Sequence, residues 1–276
     1  MNKIKGELSF LAFILLIPLP GIPQEISLPK CNHQFIVIAH RGDHTNAPEN
    51  TLAAFQHAID VGVDFIEIDL RTTKDSQLVI MHNMSVNQMT GYDGNIKDIL
   101  FDSLRQIKVR DKLHSGWGVH LIPSFSEVLK LCHGKINIYL DFKDASAEAA
   151  YKEILRAGME KNMVVYINEQ HQFTEWRKIA PQMPLMMSLP KVVGTKQAMT
   201  QLLDVLKVDV LDGSYDEYNS ATILAAKEKH VPVWADIQSA SEGIDDWDKA
   251  MALGLAGLQT DHPQALIDYL KKKGIR

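Results

Sequence analysis

Residues 36–43 read IVIAHRGD, an apolar run that stops at His40 and Arg41. A second run, VDFIEIDL (63–70), carries Glu67 and Asp69 two residues apart. A third, INIYLDF (136–142), holds Asp141, with Lys143 just beyond. Alternate residues of a strand share a face, so Glu67 and Asp69 stand side by side among apolar neighbours. Two carboxylates buried together repel, and one loses its charge unless a cation neutralises them. A divalent ion is the simplest remedy, with Asp141 as a third ligand. Three hard oxygen donors favour Mg²⁺ or Ca²⁺ over zinc. The competing reading is a carboxylate pair held only by Arg41 or Lys143. Beside an ion those two cations suit an anionic substrate, phosphate being the commonest. His40 and His82, the latter in QLVIMHN (77–83), make an acid–base pair, since imidazole titrates near neutral pH.

These side chains need a scaffold that gathers strand ends. Apolar runs are expected as strands at 35–40, 63–70, 136–142, 163–167, 184–188, 208–212, 231–235 and 256–260. Amphipathic helices are expected near 50–61, 124–133, 146–159, 170–180, 196–206, 217–229, 245–253 and 264–272. The runs are almost continuously apolar, as in parallel strands covered on both faces. Eight βα units imply an α/β TIM barrel, with a doubly wound open sheet as the alternative. Its active site would lie at the C-terminal strand ends. No helix fits between the second strand and 77–83, so the strand turns at RTTKDS and returns as a hairpin carrying His82 to the rim. Residues 84–122 form an insertion expected to cover the barrel mouth. In PENT (48–51), Asn50 or Thr51 caps a helix, leaving Glu49 to support His40 or Arg41. Trp234 reads either as an apolar substrate wall or as barrel packing.

A net charge of −5 excludes a broad nucleic-acid surface. Residues 1–24 pair Lys3 and Lys5 with an apolar stretch from Leu8 to Pro20, too short for a membrane span. That pattern predicts a signal peptide or an uncleaved N-terminal anchor, and therefore an exported protein attached to a membrane, if at all, through this segment. The catalytic domain is expected over 31–276. Export would permit a disulfide between Cys31 and Cys132, which the sequence leaves open.

AHRGDHTNAPENTLAAFQHAIDVGVDFIEIDLRTTKDSQLVIMHN resembles the glycerophosphodiester phosphodiesterase family, which shows HRG, PENT, an E-x-D strand and a returning HD. IPSFSEVL (122–129) and LQTDHPQALIDYL (258–270) extend the likeness over roughly residues 35–272. The resemblance implies a TIM barrel that uses a divalent cation to hydrolyse glycerophosphodiesters to glycerol 3-phosphate and an alcohol. It implies His40 and His82 as the acid–base pair and Glu67, Asp69 and Asp141 as metal ligands. Arg41 and Lys143 would then contact phosphate. Asn83 stands where the family has Asp, Asp141 where it has Glu, and Asp236 where many members carry an uncharged polar residue. Asn83 would orient His82 more weakly than a carboxylate. Two alternatives accompany this reading: a related phosphodiesterase of intact phospholipids, and a non-catalytic binder of phosphodiesters.

Overall fold

The computed structural model describes residues 26–110 and 118–276. The leader and Trp117 of the insertion lie outside the described residues. In chain order the elements begin with β1 (Ile36–Ala39), α1 (Leu52–Val61), β2 (Phe65–Thr72) and β3 (Leu78–Ile80). The insertion holds α2 (Asn87–Thr90), α3 (Phe101–Leu104), β4 (Lys108–Val109) and β5 (His120–Leu121). Then follow α4 (Phe125–Cys132), β6 (Asn137–Phe142), α5 (Ala147–Ala157), β7 (Met163–Ile167), α6 (Gln170–Ile179), β8 (Leu185–Ser188) and α7 (Lys196–Val205). The chain closes with β9 (Val210–Asp212), α8 (Ser220–Glu228), β10 (Trp234–Asp236), α9 (Ile244–Leu253), β11 (Gly257–Thr260) and α10 (Pro263–Lys272).

Parallel pairing runs β10-β11-β1-β2-β6-β7-β8-β9. Isolated parallel bridges, Leu211 to Val233 and Ser214 to Asp236, bring β9 back against β10. The result is a (β/α)8 barrel, the expected fold. Its side chains sort by the two-residue period of the strands. Ile66, Ile68 and Leu70 face outward into the main core beneath the helices, as do Ile138, Leu140 and Phe142. Ile36, Ile38, Phe65, Tyr139, Val164, Met186, Val210 and Trp234 fill the barrel itself. Two residues further along the same strands the inward positions turn polar: His40, Glu67, Asp141, Asp212, Asp236. An apolar plug therefore lies directly under a polar floor.

Trp234 corrects the substrate-wall expectation. It opens β10 and so sits at the strand's N-terminal end, stacked 5.0 Å from Phe65. Gly257 makes room for it, because a Cβ there would lie 3.0 Å from Trp234 Cδ1 and 2.7 Å from Ile36 Cβ. Asp236, two residues on, reaches the mouth instead.

The hairpin forms as expected: β3 pairs antiparallel with β2, Leu70 opposite Ile80 and Thr72 opposite Leu78. The insertion is built from short helices and the β4–β5 ribbon around its own apolar cluster, Val79, Met81, Val86, Ile96, Leu104, Val109 and Ile122. Arg105 fastens it to α4 through Glu127 and the Ile122 carbonyl. None of its described residues lines the cavity at the strand ends. Cys31 and Cys132 are both free thiols, and burial pushes them up to about 11 and about 12. Among the described residues no helix is long and apolar enough to cross a membrane.

Candidate active site

The turn after β1 explains why HRG and PENT occur together. Arg41 adopts a left-handed φ of +54°, and Gly42 follows at +83°. A Cβ on Gly42 would lie 2.8 Å from the Ala54 carbonyl carbon, so only glycine fits against α1. This hook points the Arg41 amide at the barrel, where it donates to Glu67 Oε2 at 2.7 Å. Asn50 is also left-handed, at +55°, a conformation asparagine tolerates better than most residues. Its amide nitrogen donates to the Arg41 carbonyl at 2.9 Å and its side chain to Asp69 Oδ2 at 2.7 Å. Thr51 alone caps α1. Glu49 takes Arg41 rather than His40, accepting from Nη1 with both oxygens at 2.9 and 3.0 Å.

Glu67, Asp69 and Asp141 meet as the carboxylate spacing predicts. One oxygen from each lies within 4.8 Å of the others. Lys143 hydrogen-bonds Asp141 and stands 3.1 Å from Asp69 Oδ1. Arg41 Nε lies 3.6 Å from Asp69 Oδ2, and Asn168 donates to Asp141 Oδ1 at 2.7 Å. Burial pushes Glu67 well above the usual carboxylate range, and the charges of Asp69 and Asp141 push it further. Burial likewise raises Asp141, over the opposing pull of Lys143. Burial would raise Asp69 too, but Lys143, His82, Arg41 and the Asn50 bond outweigh it and hold the group low. Lys143 is raised because Asp69 and Asp141 outweigh its own burial.

The two histidines are held differently. His40 Nδ1 lies 2.7 Å from Asp261 Oδ1, the oxygen that His44 Nε2 also approaches at 2.9 Å. His82 Nδ1 lies 2.8 Å from Asn83 Oδ1. The Asn83 amide nitrogen donates in turn to Gln88, which fixes its orientation. An amide oxygen only accepts, so His82 donates to it from a protonated Nδ1. Arg71 secures the returning chain by donating to the Met81 and His82 carbonyls and pairing with Asp144 at 2.6 Å.

Both histidines, the three acids, Arg41 and Lys143 line one cavity of ≈ 220 Å³. Residues 40–265 match the glycerophosphoryl diester phosphodiesterase family. The chain belongs to that family. It is a phosphoric diester hydrolase of glycerophosphodiesters, and the likeness noted in its sequence extends over the whole barrel. A glycerophosphodiester phosphodiesterase of Caldanaerobacter subterraneus is 27% identical over 246 residues, 87% of this chain and 99% of the relative. The Agrobacterium tumefaciens glycerophosphodiester phosphodiesterase structure superimposes with a TM-score of 0.74 at 18% identity, covering 85% of this chain and 99% of that one. An Oleispira antarctica phosphodiesterase, solved with the product sn-glycerol-3-phosphate, gives 0.75 at 21% identity, covering 86% and 96%.

The structure adds roles at the site of this phosphodiesterase that sequence reading did not assign. Asp261 orients His40, Asn50 orients Asp69 and Arg71 anchors the His82 segment. Tyr139, Tyr166, Asn168, Asp212, Asp236, Gln238 and Gln259 complete the cavity. The period of two gives a signal for some of them: Tyr139 precedes Asp141 by two, and Gln259 precedes Asp261 by two. For Arg71 the sequence gives none, since its partners are the carbonyls of Met81 and His82, just past β3, and the distant Asp144.

Proposed function

We propose that the enzyme cleaves glycerophosphodiesters to glycerol 3-phosphate and an alcohol, with Glu67, Asp69 and Asp141 holding a divalent cation and His40 and His82 moving protons. The observation that carries this is the convergence of two imidazoles, three carboxylates and two cations on one cavity. The acids fit a hard divalent ion: their oxygens are close, and Asp69 Oδ1, on a residue only 1% exposed, meets the Lys143 ammonium at 3.1 Å but accepts no hydrogen bond. When bound, the ion supplies Lewis-acid polarisation of the phosphoryl oxygens. Whether it is Mg²⁺ or Ca²⁺ is decided by titrating each into metal-stripped enzyme.

Arg41 and Lys143 are placed to bind the non-bridging oxygens and to neutralise charge that grows as the phosphorane forms. Asp261 suits His40 to the role of base, because a carboxylate at Nδ1 holds the ring and stabilises the imidazolium formed when Nε2 takes the nucleophile's proton. Asn83 keeps His82 oriented without that charge, which suits the acid that protonates the leaving oxygen. A glycerophosphodiester of p-nitrophenol separates the roles, since that leaving group needs no acid. His82→Ala is expected to recover most of its lost rate on it, and His40→Ala is not. Equal losses on both substrates would refute the assignment. The nucleophile is water or the neighbouring glycerol hydroxyl, and phosphorus NMR of early time points distinguishes them by a cyclic phosphate signal.

Every residue lining the cavity is polar or ionisable, so an acyl chain finds no apolar wall there. This favours small water-soluble diesters over intact phospholipids. The basic, apolar leader supports action outside the cytoplasm.

A further inference from the structure

We propose that Asp212, Asp236, Gln238 and Gln259 form the subsite for the leaving alcohol, and that this subsite selects an alcohol bearing a primary ammonium group. The inference rests on the hydrolytic reading above and names the substrate class of that site.

The cavity has two unlike walls. One, from β1, β2 and β6, places Arg41 and Lys143 among its acids. The other comes from the ends of β9, β10 and β11 and carries acids without cations. Among the described residues no lysine or arginine forms an ion pair with Asp212 or Asp236. Asp212 is 2% exposed; its Oδ2 accepts from the Tyr139 hydroxyl at 2.6 Å, while its Oδ1 is buried with no partner. Gln259 is 4% exposed and donates its side-chain nitrogen to Asp236 Oδ1, which leaves its own Oε1 buried and unpartnered. Gln238 Oε1 is in the same condition. All these residues line the cavity.

A buried acceptor without a donor is costly, and here three belong to residues that line one cavity. Asp212 and Asp236 lie within hydrogen-bonding reach of each other, so the pair holds one shared proton or none, and either state keeps a negative charge that favours a cation. The missing partner therefore brings both N–H donors and positive charge. A primary ammonium has three N–H donors, and Asp212, Asp236, Gln238 and Gln259 each bring side-chain oxygens to this wall. A neutral polyol brings donors without charge. A quaternary ammonium brings charge without donors, and is recognised by aromatic faces rather than by carbonyl oxygens. The sequence resemblance agrees, in that Asp236 departs from the uncharged residue many relatives carry.

The test measures kcat/KM of the full chain, with Mg²⁺ or Ca²⁺ present, for glycerophosphoethanolamine, glycerophosphocholine and glycerophosphoglycerol. The wild-type enzyme is expected to favour the ethanolamine diester by about tenfold or more, the effect of one satisfied charged hydrogen bond. Asp236→Asn is expected to lower the ratio of ethanolamine to glycerol diester by about tenfold. Wild-type rates within threefold of one another would overturn the proposal without any variant being needed. A variant that slows all three substrates alike would also overturn it, assigning the wall to the glycerol they share. Turnover of none of them would sink the hydrolytic reading instead.

Discussion

At the scale of single residues, the site works by pairing each reactive group with one that fixes its orientation or charge. Asp261 is the clearest case, because its single oxygen serves both His40 and His44. Those contacts outweigh its burial and hold the Asp261 carboxyl below the usual range. His44 is raised above 6.5, since the Asp261 bond and charge outweigh burial. In Asp261→Asn that burial is left with less opposition, so a histidine-resolved NMR titration should show His44 falling relative to wild type. The same variant should lose on the order of tenfold to a hundredfold in kcat, part of the 10²–10⁴ that positioned proton transfer contributes. A drop in kcat with His44 unmoved would separate His40 from the shared-oxygen arrangement. A depressed carboxyl stabilises the fold above its ordinary value of 3.8 and ceases to do so as pH falls through the lower one. The stability difference between wild type and Asp261→Asn should therefore shrink in acid, as followed by urea melts at stepped pH.

Two elements do most to present the site, and each depends on one residue. The β1–α1 turn needs Gly42. Gly42→Ala combines a left-handed alanine with a Cβ 2.8 Å from backbone, and should destabilise by about 2–4 kcal/mol in chemical denaturation. The β2–β3 hairpin depends on Arg71, whose guanidinium holds the carbonyls of Met81 and of His82 itself. Arg71→Gln should cost about 1.5–3 kcal/mol, the worth of hydrogen bonds to a charged group, and lower kcat more than it raises KM. If KM alone changed, the arginine would serve binding and not His82. How legible these elements were follows from their range in sequence. The period-two carboxylates and the apolar strands are local patterns, and their reading held to within one to three residues at most strand ends. Asn50 shows the limit: its local chemistry names it a cap, while its partner Asp69 is on another strand. Trp234 shows another, since the choice between wall and core turned on where β10 begins. The insertion's own small core escaped notice because its apolar residues are spaced irregularly over several short elements.

The whole molecule stacks an apolar plug beneath a ring of ionisable groups, and this layering couples the site to overall stability. Burial, Asp69 and Asp141 raise Glu67 above 4.5, so without a metal the folded protein binds a proton there that the unfolded chain gives up more readily. A carboxyl raised by folding contributes stability below its ordinary value and loses that contribution as pH climbs through the raised one. Asp69, held low, acts oppositely but only in acid, below 3.8. From 4.5 up to the raised value of Glu67, metal-stripped enzyme should therefore lose thermal stability with rising pH. A divalent cation binds the deprotonated carboxylates and must displace that proton. Mg²⁺ or Ca²⁺ should therefore raise Tm, by more at pH 8 than at pH 6, and calorimetry in buffers of different ionisation heat should register proton release. Glu67→Gln removes the titrating group while keeping its shape. It should weaken the pH dependence of the metal-stripped protein, leaving the part due to other raised carboxyls such as Asp141, and abolish most of the metal-induced gain in Tm. If the gain were independent of pH in the wild-type enzyme, Glu67 would already be ionised in the metal-free fold, with Arg41 and Lys143 sufficing to neutralise the cluster.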